Sequence, residues 1–92
     1  MLVVSHGDKS TCGPEDAVLA LAYFELLAQS AGLGTVWCGM LKFAVEAAPE
    51  LREVLGVSPS AYFYPMVFGY PAVKYARTVQ RDRNARIHRI QP

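Results

Sequence analysis

A chain of 92 residues has room for one small domain and excludes a multidomain machine. It is 52% hydrophobic and 18% charged, more apolar than a typical soluble domain. That excess implies burial against a partner subunit, a missing portion of the chain or a cofactor. The net charge of +1 conceals an asymmetry. Up to residue 73, Lys9, Lys42 and Arg52 stand against Asp8, Glu15, Asp16, Glu25, Glu46, Glu50 and Glu53. Beyond it, Lys74, Arg77, Arg81, Arg83, Arg86 and Arg89 stand against Asp82 alone. A mildly acidic body carries a basic tail, and such tails usually meet phosphate.

In chain order, "LVVS" is a short β-branched run that leaves into a loop at His6-Gly7-Asp8 and reads as a buried strand. A core strand directly after the first methionine is the expectation for a truncated chain. "GPEDAVLALAYFELLAQSAG" reads as a long helix. Pro14 suits its first turn, Glu15 and Asp16 complement the dipole, and Gly32 terminates it. Its apolar residues cover almost every face, the pattern of a helix packed on most sides. At "GLGTVWCGM" the helix has ended and a strand begins. "LKFAVEAA" and "PELREVLG" read as short helices, the second opening on Pro49 and closing at Gly56. "AYFYPMVFGY" reads as an aromatic strand, and Pro65 inside it argues for an edge position or a bulge. Residues 73–92 have too little periodicity for a helix and too much charge for a core, and read as an extended arm.

Two cysteines, Cys12 and Cys38, are too few for a disulfide framework, and with His6 and His88 they match no common zinc spacing. They read as idle thiols in a reducing compartment, and the two histidines as loop and tail residues. Glu25 and Gln29 interrupt the long apolar segment, which argues against a membrane span. The opening "MLVVSHGDK" has no basic n-region, so the expected location is cytoplasmic. There is no candidate nucleophile or general acid–base pair.

Four features stand in order: a loop into a long apolar helix, "GLGTVWCG", a strand ending "FGYP", and "KYARTVQR" followed by "ARI". Together they resemble the C-terminal half of the nitroreductase family of FMN-dependent NAD(P)H oxidoreductases, over essentially the whole chain. The resemblance implies an α+β fold: an antiparallel sheet flanked by helices, with a long central helix at the interface of an obligate homodimer. It implies that residues 1–92 are the C-terminal portion of one such domain, with two FMN molecules lying between subunits. It further implies that the segment after "GLG" passes along the flavin ring, its backbone N–H groups facing the N5 and O4 edge. That edge falls on Trp37, Cys38 and Gly39. A fixed amide donor there would stabilise the reduced ring, and a glycine would let the backbone come close. The FMN phosphate falls on Arg77 and Arg81, whose planar forks suit phosphate oxygens. One extra residue before "ARI" allows Arg83 to take the place of Arg81. The family's N-terminal half, with its arginine-rich FMN motif, has no counterpart here, so the expectation is a fragment inactive alone.

The implied reaction passes a hydride from NAD(P)H through FMN to a nitroaromatic, quinone or similar small acceptor. Other readings of the same residues stay open. Trp37 can be plain core, Gly39 a turn and the arm a solvated basic tail. The whole chain can be a non-catalytic nucleic-acid-binding module with Tyr75 stacking on bases. It can also be a dimerisation remnant that has lost flavin.

Overall fold

The structure is a computed structural model that describes residues 1–78 and 85–91. Among the described residues there are three strands and three helices: β1 (Leu2–Ser5), α1 (Gly13–Ser30), β2 (Gly34–Trp37), α2 (Gly39–Ala47), α3 (Pro49–Leu55) and β3 (Phe63–Gly69). The sheet has the order β1-β3-β2 and both pairings are antiparallel. This is the α+β, antiparallel architecture expected from the sequence. Tyr75 and the basic residues Lys74, Arg77, Arg86 and Arg89 are exposed, and residues 70–78 and 85–91 contain neither helix nor strand. No helix among the described residues is long and apolar enough to cross a membrane.

Because side chains alternate along a strand, β3 serves two layers. Phe63, Pro65 and Val67 point to one face; Tyr64, Met66 and Phe68 point to the other. On the first face, α2 and the turn after α3 close a cluster of Val45, Val57, Ala61 and Phe63, with Val3, Leu41 and Leu55 packed against it. On the second, α1 lies across all three strands, burying Ala17, Leu21 and Ala28. Phe24 meets Phe68 edge-on, ring centroids 5.2 Å apart.

β3 is the central strand, which corrects the expectation that Pro65 marks an edge or a bulge. The reason lies in where its missing N–H points. In an antiparallel ladder a residue's N–H and C=O face the same neighbour, and the Pro65 carbonyl accepts the Cys38 N–H at 3.0 Å. Pro65 therefore faces the point where β2 ends. The Cys38 carbonyl has already turned away to accept the Lys42 N–H of α2 at 3.1 Å. No carbonyl is left waiting for the donor that proline lacks.

The termini of the helices follow local chemistry. Gly32, at φ 76°, ends α1 in the left-handed conformation. Its N–H reaches the Gln29 carbonyl and the Leu33 N–H reaches Ala28, the two bonds of a Schellman motif. Helix α2 begins at Gly39, two residues before the reading from sequence, because its N-cap Cys38 makes no side-chain bond that would announce it. His6 has a structural role. Its Nε2 accepts the Tyr62 N–H at 2.9 Å and its Nδ1 lies 2.8 Å from the Gly7 carbonyl, tying the end of β1 to the entry of β3. A neutral ring protonated on Nδ1 satisfies both contacts.

Candidate functional site

The segment 32–40 runs from the end of α1, along the free edge of the sheet, into α2. Its residues divide by the direction each must face. Thr35 and Trp37, two apart on β2, point toward α1, where Glu25 accepts hydrogen bonds from both: from Thr35 Oγ1 at 3.4 Å, and from the Trp37 indole Nε1–H. The half-buried indole then meets Tyr64 edge-on at 5.4 Å between centroids. Val36 points the other way and is largely exposed, beside the partly exposed Val67 across the ladder.

The backbone amides separate Cys38 from its neighbours. The Cys38 N–H is spent on Pro65. The first amide to bond within α2 is that of Lys42, so those of Gly39, Met40 and Leu41 have no intrahelical acceptor. The Cys38 side chain does not cap them, and the first turn of α2 holds no acid. Helices α1 and α3 differ, with Glu15 and Asp16 in one first turn and Glu50 in the other. The N-terminus of α2 therefore keeps its partial positive charge uncompensated. It is also open, since Met40 is 84% exposed. Gly39 has a steric reason of its own: a Cβ there would sit 3.1 Å from the Tyr64 hydroxyl.

The structure brings Trp37, Cys38 and Gly39 together at one corner of the sheet. Gly69, the last residue of β3, pairs with Gly34, so the arm leaves the sheet at the end of β2 remote from Gly39, and Val73 and Tyr75 then line an open cleft with Val36 and Val67. Arg77 itself is exposed. Arg81 and Arg83 lie outside the described residues. Cys12 and Cys38 are free thiols, and no group of three or more His, Cys, Asp or Glu side chains could hold a metal among the described residues. Sequence reasoning missed Glu25, which it took only as an interruption of an apolar run. A lone carboxylate among apolar neighbours was the available signal, because such a group needs donors nearby.

The nitroreductase family model matches residues 1–70, from β1 through the end of β3. No curated protein and no solved structure matches the chain significantly. The match covers every strand and helix described above, including the whole of the 32–40 junction. With its helix-flanked antiparallel sheet, the chain belongs to the nitroreductase family, whose members are oxidoreductases that generally depend on flavin.

Proposed function

We propose that the protein is an FMN-dependent oxidoreductase that passes a hydride from NAD(P)H to a nitroaromatic, quinone or similar electron-poor acceptor. In this reading the chain is the C-terminal portion of a nitroreductase-like domain, contributes one side of the flavin site, and works as a homodimer.

The observation that carries the reading is the N-terminus of α2. Bound there, FMN would supply the hydride-accepting chemistry. The donor set fits the flavin's N5 and O4 edge: adjacent amides without intrahelical acceptors, no acidic residue in the first turn of α2, and an open approach past Met40. The Gly39 and Met40 amides would donate to the edge that gains electron density on reduction, a preorganised stabilisation of charge. Cys38 is the weaker candidate of the three carried over, because its amide is already engaged by Pro65. Trp37 would hold the corner in place, and Val36 and Val67 would give apolar cover. For the phosphate, Arg77 and Arg81 on the basic arm would supply the guanidinium forks, from the same protomer or from its partner.

Titration followed by FMN fluorescence tests this. The chain alone should bind weakly, and supplying an N-terminal portion of the family's domain should tighten binding. In that complete form Arg77→Ala or Arg81→Ala should cost about 1.5 to 3 kcal/mol, the scale of a lost charged hydrogen bond. Affinity unchanged in both variants would remove the arm from the site. No binding in either form would overturn the flavin reading itself.

A further inference from the structure

Glu25 is a half-buried acid in the middle of an apolar helix. Among the described residues the one ion pair joins Lys42 to Glu46, so donors rather than a cation balance the Glu25 carboxylate. Those donors are Thr35 and Trp37, both on the strand that leads into Gly39. An open cleft lined by Glu25, Gln29, Leu33, Gly34 and Thr35 keeps one side of the carboxylate in water. From Trp37 the contacts continue to the Tyr64 ring, and the Tyr64 hydroxyl lies 3.1 Å from where a Cβ at Gly39 would stand. Glu25, Trp37 and Tyr64 thus lead in succession from α1 to the space beside the first residue of α2.

We infer that Glu25 is a positioning residue: through Trp37 and Tyr64 it fixes where the Gly39 and Met40 amides present themselves to a flavin. The inference rests on the flavin reading above. A leucine at position 25 would suit the helix better but would leave the indole N–H without an acceptor. A charge-assisted bond, about twice as strong as a neutral one, holds the ring in one rotamer. Donor placement within about half an ångström matters at a site of this kind.

The test uses the full chain and its single tryptophan. First, without flavin, acrylamide quenching of Trp37 is compared in the wild type, Glu25→Gln and Glu25→Leu. The amide oxygen of glutamine still accepts, so the indole should stay as shielded as in the wild type; in Glu25→Leu it should become more accessible. Second, FMN binding is followed by FMN fluorescence, with thermal melting alongside. Glu25→Leu should weaken binding roughly tenfold or more, the equilibrium counterpart of one lost charged hydrogen bond, and Glu25→Gln should restore most of it. Trp37→Phe keeps a ring but removes the donor and should match Glu25→Leu, with the double variant no weaker than either. If Glu25→Leu does not fold, Trp37→Phe carries the comparison alone. A lowered melting temperature with wild-type FMN affinity, or additive effects in the double variant, would overturn the inference. No FMN binding by the wild type, either alone or with the N-terminal portion supplied, would overturn the flavin reading instead, whereas an indole equally shielded in Glu25→Leu would overturn the Glu25 contact whatever FMN does.

Discussion

The two faces of the sheet are finished to different degrees. On the face covered by α2 and α3, large side chains meet large side chains, and Phe63 is 0% exposed. On the other face, α1 lies down mainly through small residues, Ala17 and Ala28, with Leu21 between them. Leu21 and Phe24 reach the sheet, but on the far side Leu19, Tyr23, Leu26 and Leu27 form one exposed stripe, at 57%, 74%, 66% and 67%. The other layer exposes large apolar side chains too, Phe43 and Val54 at 65% and 81%, but on two separate short helices. Burying a leucine-sized side chain stabilises by about 1.5 to 3 kcal/mol, so leaving several exposed forgoes a large part of a small domain's total stability. A second copy of the chain, packed α1 against α1, would complete that face, in line with the homodimer proposed above.

Substitutions can break this contrast in order of their cost to the fold. Phe63→Ala strikes the finished face and should destabilise by about 3 to 5 kcal/mol, since it removes buried area and leaves a cavity. Urea unfolding measures it; a cost below that of an exposed-site change would mean the cluster is not the core. Gly13→Ala strikes the hinge between β1 and α1. A Cβ there would fall 2.5 Å from the His6 ring, which must move and release the Tyr62 N–H. The expected cost is about 1 to 3 kcal/mol, the penalty for an orphaned donor. His6→Ala should cost a similar amount and add little on top of it, a pattern that a thermal-melt cycle would test.

Leu26→Glu strikes the unfinished face and should behave in the opposite way. The stability of the separated subunit should change by less than about 0.5 kcal/mol, as for other exposed positions, while self-association is lost. Sedimentation at low micromolar concentration separates the outcomes. A wild-type chain that is already a stable monomer, or a Leu26→Glu chain that still dimerises, would place the interface elsewhere.

What the sequence disclosed follows the range of the interactions involved. Helix ends were legible because Pro14, Gly32, Pro49 and Gly56 act on their own residues and close neighbours. The apolar girth of α1 was legible too, although nothing in it distinguished Leu21, which faces the sheet, from Leu26, which does not. The place of Pro65 was not legible. Whether a proline harms a ladder depends on the residue opposite, and Cys38 had turned its carbonyl into α2. Glu25 was missed for a related reason, since its donors Thr35 and Trp37 come from a different element. At the junction, Trp37, Cys38 and Gly39 were singled out together, but only the hydrogen bond from Cys38 to Pro65 distinguishes an engaged amide from the free ones after it. Arg77 was assigned to the phosphate only through the family resemblance, and nothing local to it marks such a role.

Amide NMR of the full chain under titration with FMN tests the central claim most directly, because even weak binding in fast exchange moves the resonances of the amides it touches. The account predicts that the Gly39 and Met40 N–H signals shift progressively with FMN while the Cys38 signal, held by Pro65, stays nearly fixed. A Cys38 signal that moves while those of Gly39 and Met40 do not, or no movement in the junction at saturating FMN, would contradict it.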